Sequence, residues 1–312
     1  MAFLTKRLLS GLVTVWFIAT ATFFAMHAVP GDPLLNGKNL NPEIRENLVR
    51  QYGLDRPLVE QYLLYLNNMV HGDFGISYVE KNRRVNDILR QHFPVSAVLG
   101  VLAILFATAG GIVWGAITAA YRDRLGDTLV MLLVIVAISV PSFVLAAAGQ
   151  LLLLSLKSRY GWSILPIAGW GSFSHMIMPA LVLGLGTLAY LTRLMRSSLL
   201  EIAQTEYIRT ARAKGVPRLR IFFRHQLRNA SLPLISALGP AIAVITTGGF
   251  VVELVFSIPG LGRYFVQAVQ QLDYTVIMGT TVFYAAFLVI IMLVIDLVYG
   301  LVDPRIRLAN SP

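Results

Sequence analysis

Nine Lys and Arg residues fall between Arg193 and Arg228, against two acids, Glu201 and Glu206. At their centre runs Tyr207-Ile208-Arg209-Thr210-Ala211-Arg212-Ala213-Lys214-Gly215. Such a block does no covalent chemistry. It offers positive charge and hydrogen-bond donors to an acidic partner surface or to anionic lipid. Small residues (Thr210, Ala211, Ala213) alternate with basic ones, which lets a partner approach a short helix closely. Gly215 suits the residue just past a helix end, and Pro217 prevents continuation. A second amphipathic helix is expected from Arg218 to about Ala230, with Ile221, Phe222 and Leu227 apolar. Snorkelling accounts for Arg193 and Arg196, which continue a helix out of an apolar run. For the rest, the residues alone leave a helix–turn–helix docking finger and a lipid-binding patch equally open.

Other reactive patterns are sparse. Glu253 lies near one end of an apolar run and Asp296 lies within another. Ionisable groups in lipid are costly and face a cavity or a partner. Each is therefore a candidate for a transport pathway or a chain–chain interface. The plainer alternative is a structural pair, such as Glu253 with Arg263. His27, His71, His92, His175 and His225 show no metal-ligand spacing. The sequence has no Gly-x4-Gly-Lys-Ser/Thr, His-Glu-x-x-His or Gly-x-Ser-x-Gly pattern, so no nucleotide, zinc-protease or serine-hydrolase site is expected. It has no Cys, so no disulfide.

The elements that must position the basic block are set by charge segregation. The chain is 56% hydrophobic and 13% charged, where a soluble domain is near ~25% charged. Residues 8–31, 91–121, 128–156, 160–192, 229–252 and 274–295 carry no Asp, Glu, Lys or Arg. Each run can supply the roughly 20 residues of a membrane-crossing helix, and backbone in lipid must satisfy itself internally. The expectation is an all-α polytopic membrane protein with six transmembrane helices. Pro166, Gly169 and Gly171 interrupt the fourth run, so its helix should begin near His175. The first run exceeds the ~7–15 residues of a signal-peptide core, so an uncleaved anchor is expected. Gly111-Ile112-Val113-Trp114-Gly115 reads as a helix-packing motif, and Pro141 and Pro179 as possible kinks.

Charge also orients the chain. With both termini cytoplasmic, the inside segments hold 15 basic and 5 acidic residues, an excess equal to the whole net charge of +10. The first outside loop, 32–90, has eight of each. Positive-inside bias favours this N-in/C-in arrangement. Nucleic-acid binding, the rival account of a basic chain, is disfavoured because the charge sits in loops tethered to a bilayer. The outside loop of about 60 residues reads as a cap. One amphipathic stretch opens at Asn41-Pro42-Glu43, with Ile44, Leu48 and Val49. A second helix starts at Asp55-Arg56-Pro57, and Gly72-Asp73-Phe74-Gly75 reads as a turn. The expected division is helix 1 over 1–31, the cap over 32–92, a five-helix core over 93–304 with the basic loop at about 194–230, and a tail over 305–312.

The basic block resembles the permease signature loop of ATP-binding-cassette importers, where a Glu-Ala-Ala…Gly pattern forms the coupling helix. Arg209, Thr210, Ala211 and Gly215 occupy its positions here; the Glu and first Ala are replaced, and Leu232-Pro233 lies farther on than in the general pattern. These departures resemble the peptide and nickel branch. So do Val29-Pro30-Gly31-Asp32-Pro33, Tyr52-Gly53-Leu54-Asp55-Arg56-Pro57, Ile164-Leu165-Pro166, Phe256-Ser257-Ile258-Pro259-Gly260-Leu261-Gly262, Asp273-Tyr274 and Asp303-Pro304-Arg305, in that order along the chain.

The resemblance implies a B-type permease subunit of an oligopeptide importer in the bacterial inner membrane. Its implied partners are a second, C-type permease, two ATP-binding subunits and an extracytoplasmic peptide-binding protein. ATP and Mg would be bound by those ATPase subunits, with no cofactor and no catalytic residue in this chain. Tyr207, Arg209, Thr210, Ala211, Ala213, Lys214 and Gly215 would couple to the ATPases, and Glu253 and Asp296 are candidates for the pathway or the permease interface. Dipeptide, nickel and glutathione permeases share the motifs. A secondary transporter would leave the finger unexplained and should show internal repeats; an intramembrane enzyme lacks its motifs.

Overall fold

The computed structural model describes residues 2–30, 46, 49–50, 53–80 and 82–302. The expected helix at 41–49 falls largely outside them. Among the described residues the protein is helical, apart from one isolated antiparallel bridge between Ile76 and Arg84. The helices are α1 (Ala2–Ala28), α2 (Leu58–Val70), α3 (Val85–Ala120), α4 (Leu125–Ser139), α5 (Ser142–Tyr160), α6 (Phe173–Ile202) and α7 (Glu206–Ala213). Then come α8 (Arg218–Ile221), a π turn (Phe222–Gln226), α9 (Leu227–Ala230), α10 (Leu232–Val255), α11 (Leu261–Gln270) and α12 (Tyr274–Val302).

Four stretches among the described residues are long and apolar enough to cross a membrane: Thr5–Ala28, Val85–Ala120, Phe173–Ile202 and Tyr274–Leu297. The pair α4 and α5 makes a fifth if it is one bent span, and Leu232–Ala243 is a shorter apolar helix. The third apolar run, 128–156, is broken at Pro141, one of the two residues expected to kink a helix. α4 and α5 meet at 108°. Val140 is extended (φ −89°, ψ 124°) and Pro141 caps α5. A proline ring disfavours the helical conformation in the residue before it, and Pro141 has no N–H for the carbonyl of Ala137. Pro179, the other expected kink, lies buried inside the unbroken α6.

Contacts divide the chain into two compact units, Met1–Val95 with Pro259–Leu293, and Ser96–Ile258 with Val294–Pro312. The first unit is organised by Asp273, which is 3% exposed. Its carboxylate accepts from the Ser77 hydroxyl, from the Tyr78 and Val79 N–H groups at 3.1 and 3.4 Å, and from the Thr275 hydroxyl at 3.0 Å. It also accepts from the Val276 N–H at 3.4 Å, capping the first turn of α12. A buried charge is tolerated when its lone pairs are filled in this way. Gly72 (φ +74°) and Gly75 (φ +85°) make the expected turn, and α2 begins after Pro57 as expected. Phe23, Tyr274 and Met278 form a small core with Tyr62, Tyr65 and Tyr78 against it.

In the second unit α6 begins at Phe173 with Ser172 as its cap; the Ser172 Oγ lies 2.7 Å from His175 Nδ1. The small-residue motif of α3 is a packing surface. A Cβ at Gly111 would meet Leu191 Cβ at 2.6 Å, and one at Gly115 would meet Met195 Cβ at 2.6 Å and the Thr192 carbonyl at 2.8 Å. A Cβ at Gly184 of α6 would likewise meet the Ala103 carbonyl oxygen at 2.7 Å. In lipid there is no hydrophobic drive between helices, so close backbone approach supplies the packing. Gln150 Nε2 donates to the carbonyls of Ile167 and Val255 at 3.1 and 2.9 Å, fixing α5 to the segment before α6 and to the end of α10. Gly115→Leu should lower the unfolding midpoint of the purified protein, by an amount equivalent to about 1–3 kcal/mol; Ala119→Leu, where a half-buried site has more freedom, should cost less. Equal midpoints for Gly115→Leu and the parent in a thermal-unfolding scan would show that the close crossing is absent.

Candidate functional site

The basic block folds as a finger. The chain leaves α6 at Ile202 and turns through Ala203–Gln204, where Thr205 Oγ1 donates to the Ile202 carbonyl at 2.7 Å. It then enters α7, capped by the extended Thr205. On α7 Ile208 is fully buried and Ala211 half-buried, whereas Tyr207, Arg209, Thr210, Arg212 and Ala213 are exposed. One buried residue on an otherwise open helix marks which side is the root and which the display face. Gly215 takes φ +75°, and the Val216 N–H donates to the Ala211 carbonyl at 3.2 Å, closing the helix end. Lys214, Arg218, Arg220, Arg224 and Arg228 are exposed as well. Tyr207, Arg209, Thr210, Ala211, Ala213, Lys214 and Gly215 thus lie together on one short helix and its terminal turn.

The return arm is helical throughout but not one α-helix, because a π turn at Phe222–Gln226 inserts an extra residue. Ile221 and Ala230 are buried. Phe222 and Leu227 pack against a core of Leu191, Met195, Leu199, Ala230, Leu234 and Ala237. Asn229 Nδ2 donates to the Tyr207 hydroxyl at 3.0 Å, joining the two arms. Between the finger and the ends of α3 and α6 lies a cavity of about 470 Å³, walled by Ala116, Ala119 and Ala120 on one side and by Arg212, Arg218 and Phe222 on the other.

The base of the finger is held by a pair that the sequence does not announce. Arg196 Nε donates to Asp127 Oδ1 at 2.8 Å and its Nη2 to Oδ2 at 2.6 Å. The same Oδ2 accepts the Asp123 N–H at 3.1 Å. Asp123 itself sits at φ +62°, a conformation that a short polar side chain tolerates. The Asp127 side chain is 5% exposed and that of Arg196 23%. Snorkelling, the expectation for Arg196, is thus replaced by a two-pronged ion pair that ties α4 to α6.

The two apolar-run acids lie on different helices. Glu253 is 2% exposed in α10, Asp296 is half-buried in α12, and each is engaged by a partner. In the first unit Arg83 pairs with Glu80 at 2.7 Å. Desolvation lowers the Arg83 pKa, but the Glu80 carboxylate and Tyr264 outweigh it and hold the group above its usual value. Tyr65 lines a cavity of about 340 Å³ and its hydroxyl has no partner among the described residues; burial, with Tyr62 nearby, pushes its pKa up. No cluster of three or more His, Cys, Asp or Glu able to hold a metal occurs among the described residues.

Residues 111–308 match the model of the binding-protein-dependent transport system inner membrane component, and residues 1–100 match the N-terminal model of the same kind of membrane component. The chain belongs to this family of inner membrane transport components. It is similar to the dipeptide transport system permease protein DppB of Bacillus subtilis (strain 168), with 42% identity over 98% of both chains. It is 38% identical to the oligopeptide transport system permease protein OppB of Haemophilus influenzae (strain ATCC 51907 / DSM 11121 / KW20 / Rd) and 37% to that of Escherichia coli (strain K12), each over 98% of this chain and 99% of the relative. The family assignment makes the chain a B-type permease of peptide ATP-binding-cassette importers, in the bacterial inner membrane.

Within such a permease the Asp127–Arg196 pair fixes where the finger emerges. Removing one partner of a buried pair typically costs about 3–5 kcal/mol, more than replacing both. Arg196→Met and Asp127→Leu should each lower the unfolding midpoint strongly, and the double variant should recover part of the loss. Additive losses in that double-mutant cycle would show that the two groups do not interact.

Proposed function

We propose that this permease imports oligopeptides by alternating access, as one half of a heterodimer with a C-type permease. Two separate ATPase subunits bind ATP and Mg and drive it, and an extracytoplasmic binding protein delivers the peptide. The proposed membrane path has six crossings, N-in and C-in, with the bent α4–α5 pair as the third and α10 as the fifth. This orientation puts the finger in the cytoplasm. The observation that carries the reading is the finger itself: a short helix rooted by Ile208, with Arg209, Thr210, Arg212 and Ala213 exposed and Ala211 half-buried, on a base clamped by Arg196 and Asp127. A permease with no P-loop pattern in its sequence would receive work mechanically, and a rooted lever with an exposed display face can receive it. Tyr207, Arg209, Thr210, Ala211, Ala213, Lys214 and Gly215 would form the contact with the ATPases.

Dipeptide import is the second reading, favoured by the 42% identity to a dipeptide permease against 38% to an oligopeptide permease. Both readings share the coupling geometry. Ala211 is half-buried on α7, so a carboxylate there adds bulk and charge at a close contact. Ala211→Asp should abolish peptide-stimulated ATP hydrolysis by the co-expressed assembly in proteoliposomes while leaving the chain folded. Wild-type stimulation in that variant would remove α7 from the coupling role. Stimulation of the parent by dialanine but not by longer peptides would select the second reading.

A further inference from the structure

The α4–α5 elbow opens onto a cavity of about 560 Å³, within the ~300–1,000 Å³ of small-molecule sites. All of its lining residues belong to the second unit. Three features distinguish it from a packing gap. First, one wall is the end of α4, where Ala137, Ile138 and Val140 face the cavity. The last carbonyls of a helix have no intrahelical partner, and Pro141 supplies no N–H to the first of them. Irregular backbone at membrane depth persists where it is covered by protein or lines a polar cavity. Broken helices of this kind build the substrate sites of many transporters.

Second, the opposite wall is α6, with Thr187, Tyr190 and Arg193 at successive three-residue steps. Thr187 is 7% exposed, and its hydroxyl has no hydrogen-bond partner among the described residues, nor has that of Ser142 across the cavity. Both hydroxyls line the cavity, where each can donate to or accept from a ligand. Third, Arg193, an exposed residue of the cavity lining, forms no ion pair among the described residues, so its guanidinium is accessible to a ligand, whereas Arg196, three residues on, is engaged by Asp127.

The chamber is thus lined by the end of α4, by the hydroxyl-bearing Thr187 and Ser142, by Arg193 and by apolar Val182 and Leu183. A zwitterion with backbone amides and variable side chains is complementary to that set. We propose that this chamber holds the peptide in transit, with Arg193 reading its C-terminal carboxylate and the elbow carbonyls its N–H groups. The assignment rests on the peptide-import reading above and names where in this chain the substrate is held. Apolar walls tolerate different side chains, while the end groups fix the orientation.

The chain has no Cys, so Thr187→Cys gives a single thiol in it. The assembled transporter, with its binding protein and in nanodiscs, is treated with methyl methanethiosulfonate with and without dialanine or trialanine. At ten times the half-saturating concentration, peptide should slow modification roughly tenfold, following simple occupancy. Arg193→Gln in the same background should raise the half-protecting concentration about ten- to a hundred-fold, the loss of a charged hydrogen bond, and Arg193→Lys should restore part of it. Ser142→Cys gives the same readout from the other wall should Thr187→Cys fail to assemble. Unprotected thiols in a transporter whose parent is peptide-stimulated would overturn the chamber and leave peptide import standing. Protection that ignores Arg193→Gln, or that follows anionic lipid instead of peptide, would overturn it as well. A parent stimulated by neither peptide would overturn peptide import, and this assignment with it.

Discussion

The ion pair between Arg196 and Asp127 is the constraint on which the finger depends. A guanidinium near a bilayer surface has two stable courses: it reaches for water, or it finds a carboxylate. Snorkelling would leave the end of α6 free to rotate and tilt. The fork at 2.6–2.8 Å instead fixes its rotation against α4, because two parallel hydrogen bonds define a plane as well as a distance. From that fixed point Leu199 enters the core shared with Ala230 and Leu234. Both arms of the finger therefore start from one packed and clamped base.

Much of this architecture is legible in the order of residues. Gaps in the charge pattern locate the apolar helices, and Ser172 with His175 marks the start of α6 within two residues of the expectation. The Gly215–Pro217 punctuation marks the finger tip, because local backbone chemistry acts over a few residues and leaves a local signature. Gly111 and Gly115 advertise a close crossing for the same reason, although not the partners, Leu191 and Met195.

What is not legible is long-range or angular. Asp127 and Arg196 are 69 residues apart, and either looks like an ordinary loop charge. Asp273 and Ser77 are separated by 196 residues, so the motif Asp273-Tyr274 shows that something sits there without showing that it caps a helix and gathers a loop. Pro141 signals a possible kink, but a mild bend and a 108° elbow share one sequence signature, since the angle is set by what packs on either arm. Thr187 is least legible of all: a single hydroxyl within an apolar run reads as a residue bonded to its own helix, and the cavity beside it comes from the elbow.

These features meet on α6. At 100° per residue, Thr187, Tyr190 and Arg193 wind slowly around one side of the helix, and by Arg196 the stripe has reached the side opposite Thr187. One face thus borders the chamber while the other is clamped to Asp127, over a rise of about 14 Å. A helix is stiff on that scale, so chamber and finger base cannot move independently. Stiffness alone does not couple binding to work; a ligand shifts an equilibrium only through unequal affinity for its two states. The elbow supplies a means for that inequality. α5 can swing about Val140 and Pro141 with few helical hydrogen bonds to break, changing the chamber's carbonyl wall while α6 keeps the other wall in place. A peptide spanning both walls would sense the angle between them, and the clamp on α6 would carry that preference to the finger.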